Sequence, residues 1–406
     1  MKILFVVPYA PTKIRMRSSN LLRVFSKRGH ELTLATIWED DAERETLEGL
    51  KAQGVRVVSE HLGRPRIAVN LTRALVSGAP LQARYSFHPR LARALDNLVR
   101  NERYNVVHVE HLRGAPYGLA LQQRLKGTGT PVVFDAVDCI TLLFERAAQH
   151  SRSSFGRWIT RLDLPRTRRF EAYLASRFNR TILVARPDME RLCQLVDGRS
   201  KGLELVTLGV DLDYFHPPEN GDRAIQNGEE RLVFSGKLSY HANVTAGLFL
   251  AQEVMPRVWA ERPGVKVWLA GKDPHPALRQ AAQAEPRLEV TGTVDDLRPY
   301  LWGARLAVAP LVYGAGIQGK VLEAMACGTA VAATPQAVAA LDKARDGETL
   351  AVGEGAEGLA RAILGLLADP ERRRRIAAGG LAYVRREHDW DAIAARLEQI
   401  YREAGE

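Results

Sequence analysis

Short apolar runs recur along the chain, most of them without alternating spacing. "KILFVV", "ELTLATI", "VRVVS", "NVVHVE", "PVVFD", "RTILVA" and "LELVTL" punctuate the first half. Runs of this kind suit strands of a parallel sheet, because alternation is lost when neither face meets water. The stretches between them read as helices: Ser19–Arg28 is stopped by Gly29 and Asp41–Gln53 by Gly54, and glycine just past the last turn is a common stop signal. Strands alternating with helices predict a doubly wound α/β domain.

The rhythm breaks at "GVDLDYFHPPENGDRAIQNG", rich in Gly, Pro, Asp and Asn, and then resumes with "RLVFSG", "VKVWLAG", "RLEVTG", "RLAVAP", "TAVAAT" and "TLAV". The break reads as a linker. The pattern predicts an N-terminal Rossmann-like domain over 1–208 and a second over 209–387. A closing segment, 388–406, carries Trp390, Ile393, Leu397, Ile400 and Tyr401 at helical spacing. Two such domains would leave a cleft at the carboxyl ends of their strands, where open α/β folds bind ligands.

Composition changes this picture little. A chain of 406 residues with 46% hydrophobic and 26% charged residues is that of an ordinary globular protein of two or three domains. The opening "MKILFVVPYAP" is too short for a signal-peptide core, and no apolar run is long enough to span a bilayer. Cys139, Cys193 and Cys327 lie far apart. They suit a reducing, cytoplasmic setting better than a disulfide frame or a zinc site.

Charge says more. The net charge is +10, and within residues 146–180 nine arginines stand against Asp163 and Glu171, interleaved with Phe155, Trp158, Ile159 and Phe170. Solvated arginine-rich helices are one reading. A peripheral surface for anionic lipid at the inner membrane face is the other. Nucleic acid is not expected as a partner, since no recognised binding motif accompanies the charge.

Gly314-Ala-Gly316-Ile-Gln-Gly319 matches the dinucleotide-binding GxGxxG, follows a strand and opens a helix. It comes late in the chain, however, and the next strand ends in Thr334-Pro335 with no acid to hold a ribose hydroxyl. The turn instead suits a phosphate. A helix N-terminus offers unpaired N–H groups and a partial positive charge, worth about 0.3–1 kcal/mol to an anion and ~2 kcal/mol when partly buried. Lys320 and Glu323 then share one helix face, as a surface ion pair or as ligand groups.

The residues beyond this turn supply a resemblance. "GAGIQGKVLEAMACGTAVAAT" resembles the donor-site motif of the retaining GT-B glycosyltransferases. "LGVDLDYFHP" is similar to that family's interdomain hinge, "LVFSGKLSYHANVTAG" to its loop after the first donor-domain strand, and "WLAG" and "VTGTVDDLRPYL" to its nucleoside-contacting turns. "HDWDAIAARLEQIY" resembles its final helix, which returns to the first domain. Sugar transferases of bacterial exopolysaccharide and exosortase-associated clusters look most alike.

The resemblance implies that Glu323 bonds the ribose of a UDP- or GDP-sugar. Lys237, Lys320 and the amides of Gly314, Gly316 and Ile317 would meet its diphosphate, and Gly292, Val294 and Asp295 would flank its base. With two lysines at the phosphates, no metal or other cofactor is required. Asp295-Asp296 and "WEDD" read as helix caps rather than metal ligands. Two positions depart from the family pattern: Ala315, where relatives carry a glutamate, and Asn243, where a basic residue is common.

On the first domain, His108, Glu110 and His111 end one strand and Asp135 and Asp138 the next. Glu110, His111, Asp135 and Asp138 are the acceptor-side catalytic candidates, although many relatives carry histidine in place of Asp135. His108 reads as a core residue. The loop "PYAPTKIRMRSSN" offers Lys13, Arg15 and Arg17 to an acceptor or phosphate.

The expected protein is a cytoplasmic, metal-independent retaining glycosyltransferase acting on a glycan or lipid-linked acceptor. Alternatives are a GT-B sugar-nucleotide epimerase and a catalytically silent sugar-nucleotide-binding protein.

Overall fold

A computed structural model describes residues 1–12, 15–150, 154–196, 202–219, 229–314 and 316–405. The chain divides into two units, Met1–Leu208 with Trp390–Glu406, and Gly209–Asp389.

The first unit holds β1 (Lys2–Val7), β2 (Glu31–Trp38), β3 (Arg56–His61), β4 (Val106–Glu110), β5 (Val132–Val137), β6 (Arg180–Leu183) and β7 (Leu203–Leu205). They form one parallel sheet in the order β3-β2-β1-β4-β5-β6-β7. Alternate residues of β1 feed opposite faces. Leu4 and Val6 pack with Val107, Val109 and Leu112, while Ile3, Phe5 and Val7 pack with Leu21, Phe25 and Leu397. Both faces are therefore dry, which is why the strand reads as a continuous apolar run.

The second unit holds β8 (Arg231–Ser235), β9 (Lys266–Ala270), β10 (Leu288–Gly292), β11 (Leu306–Ala309), β12 (Val331–Ala333) and β13 (Ala351–Val352). It repeats the plan in the order β10-β9-β8-β11-β12-β13, again all parallel. Each sheet starts in its middle and winds outward in both directions. The winding reverses between β1 and β4 in the first unit and between β8 and β11 in the second. At such a switch point the loops leave to opposite faces and open a crevice at the strands' carboxyl ends.

The opening helix, Met16–Lys27, starts earlier than its apolar spacing suggests. Arg17 and Ser18 turn inward to polar partners, contacts that hydrophobic periodicity cannot register. Asp40 caps the helix Asp41–Ala52 by accepting from the Glu43 amide, as "WEDD" suggested. The closing helix, Trp390–Gly405, buries Ile393, Leu397, Ile400 and Tyr401 in the first unit. It is pinned there by Arg28–Glu398 at 2.7 Å and by the Tyr401 hydroxyl 2.8 Å from His108 Nδ1. Among the described residues, no helix is long and apolar enough to cross a membrane.

Candidate functional site

In the second unit the chemistry gathers at the switch point, where β8 and β11 end. Leu232, Val233 and Phe234 bury β8 in the core, and the chain then turns at Gly236 with φ +141°. A methyl group on Gly236 would lie 3.0 Å from Asn243 Nδ2 and 3.2 Å from Lys320 Cε. Gly271, at the end of β9, has φ +149°, and a methyl there would lie 1.8 Å from the Gly236 carbonyl oxygen. The two glycines let neighbouring strand ends close up and leave the space that Lys320 fills.

Asn243 organises both lysines. It is buried; its Nδ2 donates to the Lys237 carbonyl at 2.9 Å, and its Oδ1 accepts from Lys320 Nζ at 2.7 Å. The departure from a basic residue at this position thus does structural work: an amide ties the loop that carries Lys237 to the helix that carries Lys320. The ammonium of Lys320 also lies 5.4 Å from the Phe234 ring centroid. Its other two donors have no protein partner among the described residues. Burial pulls its pKa down to about 8, only partly offset by Glu323. A half-buried ammonium with spare donors is poised for an anion.

The helix Gly319–Ala326 buries Val321, Leu322, Ala324, Met325 and Ala326. Its N-terminus follows Gly316, at φ +72°, and has no side-chain cap, so its first amides remain for a ligand. One turn in, Glu323 stays partly accessible, yet the protein around it is dense enough to push its carboxyl up to about 7, against the pull of Lys320. Lys320 and Glu323 form no ion pair with each other, and the carboxylate has no hydrogen bond among the described residues. Gly314 packs close to Leu311, and Ile317 lies against the core. Ala315 lies outside the described residues.

The rim is built from the remaining loops. Lys237 is half exposed and sits 4.0 Å from Asp273, a surface contact of little energy. Gly292, at the end of β10 with φ +74°, faces open space. Val294 is half-buried and Asp295 exposed. Neither aspartate is the helix cap, since Leu297 takes that position without a side-chain cap bond; the Asp296 carboxylate accepts from the Arg298 amide and guanidinium and from the Tyr214 hydroxyl. Tyr313 stacks on His241, with its hydroxyl 2.9 Å from the His241 Nδ1. Sequence spacing gives no hint of that pair.

Residues 229–369 match the family model for glycosyl transferases group 1, and residues 14–209 match that for the glycosyl transferase 4-like domain. The chain belongs to the GT-B glycosyltransferases. Solved structures of this architecture align over nearly its whole length. A sucrose-phosphate synthase from Thermosynechococcus elongatus is 16% identical with a TM-score of 0.67, covering 99% of each chain. HepE of Anabaena in complex with UDP and glucose is 16% identical with a TM-score of 0.67, over 99% of this chain and 100% of that one. A UDP-forming trehalose-phosphate synthase from Burkholderia vietnamiensis is 12% identical with a TM-score of 0.65, over 99% of this chain and 100% of that one. No curated protein matches the chain by sequence.

The other half of this glycosyltransferase also concentrates polar groups at its switch point. Glu110, which ends β4, is buried and accepts from the hydroxyls of Tyr9 and Ser18, while its second oxygen has no partner. Burial and the Asp135 charge push its carboxyl up to about 7. His111 follows with φ +63° and Val137 ends β5 with φ +66°. Left-handed backbone at non-glycine residues costs roughly 1–3 kcal/mol each and gathers at functional sites. Burial, with Arg113 and Arg15 nearby, lowers the His111 pKa to about 3, so its ring is neutral. Asp138 is half-buried, its carboxyl pushed up to about 7 by burial and by Asp188.

Two candidates from the acceptor side turn out to lie inside. Asp135 is fully buried and ion-paired with Arg17 at 2.7 Å, with His108 Nε2 at 3.6 Å. Arg17 belongs to the opening helix rather than to a projecting loop, because the Asp135 carboxylate and the carbonyls of Val206 and Thr207 draw it inward. Both brace the strand ends and are not presented to a ligand. Arg15 bonds Glu43 at 2.7 Å and lies 4.6 Å from the Tyr9 ring centroid. Lys13 lies outside the described residues. No sequence pattern marks Tyr9 and Ser18, because their partner, Glu110, is remote in the chain.

Proposed function

We propose that this glycosyltransferase is a retaining, metal-independent enzyme that moves a sugar from UDP-sugar to a polysaccharide or lipid-linked acceptor. The observation that carries the reading is Lys320, an ammonium held by Asn243 between a glycine notch and an uncapped helix N-terminus, with donors to spare. HepE, whose structure was solved with UDP and glucose, shares the fold and supports the choice of uracil over guanine.

In the proposed reaction the bond from the anomeric carbon to the diphosphate oxygen breaks and a bond to the acceptor oxygen forms. Charge grows on the leaving phosphate as the first bond lengthens. Lys237, Lys320 and the amides after Gly316 meet that charge with fixed positive groups that need no reorganisation. The leaving phosphate takes the acceptor's proton, and configuration is retained. Glu323 bonds the ribose, and Gly292, Val294 and Asp295 flank the base. Glu110 and Asp138, poised near neutrality, can donate or accept a hydrogen bond to acceptor hydroxyls, and neutral His111 orients them. The place of action is the cytoplasm, at the inner membrane face, with the arginines of 146–180 near anionic lipid.

A panel of UDP- and GDP-sugars screened for thermal stabilisation identifies the donor, and mass spectrometry of the products identifies the reaction. Free UDP with a larger glycan is expected. An isomerised sugar nucleotide would make the protein an epimerase, and binding with no product would make it a silent binder.

A further inference from the structure

Helix Arg64–Ser77 in the first unit is apolar on two opposite sides. Ile67, Asn70 and Ala74 face the interior; Asn70 is buried, its side-chain amide donating to the carbonyls of Tyr85 and Phe87. At 100° per residue, Val69 and Val76 fall diametrically opposite that face. They are 42% and 86% exposed, and Leu75, about 100° round the helix from Val76, is 48% exposed. A core helix needs one apolar stripe, and a second one aimed at water calls for an apolar phase outside the protein.

The charge around the stripe is one-sided. From Leu62 to Leu95 the chain holds six arginines and no acidic residue. Arg66 and Arg73 flank the valines on one side and Arg64 lies on the other, and none of the three is in an ion pair among the described residues. In the 146–180 segment some of the charge is already matched: Arg168 is paired with Glu145 and Arg180 lies near Glu204. The two segments adjoin, since the Leu81 amide donates to the buried Asp163 of the helix Ser154–Arg177 at 3.0 Å.

We infer that helix Arg64–Ser77 is the primary membrane contact of this protein, seating Val69, Leu75 and Val76 among the acyl chains of an anionic bilayer while its arginines meet the phosphate headgroups. This inference goes beyond the donor-site reading and does not depend on it. An apolar stripe framed by unpaired cations is the chemistry that such a surface recognises. An acidic protein surface would meet the same cations, and failure of the unaltered protein to bind anionic vesicles would point to it instead.

The test is co-sedimentation of the whole protein with vesicles of phosphatidylglycerol and phosphatidylcholine, against phosphatidylcholine alone. Binding only to the anionic vesicles is expected. The double variants Val69→Asp/Val76→Asp and Arg66→Gln/Arg73→Gln should each lose about tenfold in partitioning. Exchanging Arg166, Arg168 and Arg169 for Gln should weaken binding less. Val69, Val76 and Arg73 are exposed and Arg66 is half-exposed, so melting temperature and UDP affinity should hold in both double variants. The inference is overturned if the unaltered protein ignores anionic vesicles, if the valine pair changes nothing, or if the arginine triple matters more. It also falls if the valine pair instead dissociates a dimer, which would make the stripe a contact between copies. Loss of UDP binding with vesicle binding intact would count against the donor site alone.

Discussion

Glu323 and Lys320 sit one helical turn apart, each in the environment that disfavours its charge. Burial lifts the carboxyl to about 7 from an ordinary 4.5, so the folded protein holds a proton between those values that the unfolded chain has lost. The neutral acid therefore favours folding below pH 4.5, and that advantage fades as pH rises through 7. Glu323→Gln should raise the melting temperature of the ligand-free protein at pH 8 while leaving it unchanged near pH 4.5. The same change should weaken UDP, a site that trades stability for affinity. For Lys320 the sign is opposite. Its pKa of about 8, down from 10.5, means that the folded protein sheds a proton the unfolded chain keeps, so stability rises with pH between those values. A diphosphate needs the charged amine, so the Lys320-dependent loss of UDP affinity, read by calorimetry, should set in above pH 8. Above it, affinity should fall by up to about tenfold per unit.

The strand ends pose the next level of constraint. Alanine at Gly271 would drive a methyl into the Gly236 carbonyl at 1.8 Å, a backbone clash that no rotamer relieves. It should cost at least the ~1–3 kcal/mol of an overpacked core, visible in denaturant unfolding of the second unit. Alanine at Gly236 meets the flexible Lys320 and the Asn243 amide, so it should perturb UDP binding more than stability. Alanine at Gly292, with open space and φ +74°, should cost about 1 kcal/mol. The inner strands were legible in the sequence because double-sided burial writes them as apolar runs such as Leu4–Val7 and Leu232–Phe234, and the half-buried edge strands β3, β7 and β10 because β-rich runs recur in step with them. The turn before Lys320 was legible because glycines and a lysine must be local to it. The bonds from Asn243 to Lys320, Tyr9 to Glu110 and Arg17 to Asp135 were not. Each joins residues remote in sequence, and neither helical nor strand periodicity encodes which polar groups meet. The Arg17 case also shows how a polar residue at a helix start, read as a loop cation, can be an interior brace.

At the scale of the whole molecule, the C-terminal helix Trp390–Gly405 completes the first unit although the second unit precedes it in the chain. Ending the chain at Asp389 would strip Ile393, Leu397, Ile400 and Tyr401 from the core. At ~1.5–3 kcal/mol for each large apolar side chain, the loss rivals the stability of an ordinary domain. Calorimetry of that truncation should show the first unit's transition lost, while a second transition, shifted upward by UDP, remains. Unfolding of both units together would argue that they stabilise one another. The proposed donor site centres on the second unit's cationic notch, and its most direct test is a UDP titration by calorimetry of the unaltered protein beside Lys320→Met. Removing a charge-assisted hydrogen bond worth about 1.5–3 kcal/mol should weaken UDP by roughly tenfold to a hundredfold with the fold intact. Equal affinity in the two proteins would contradict the assignment of Lys320 to the diphosphate, and with it the proposed site.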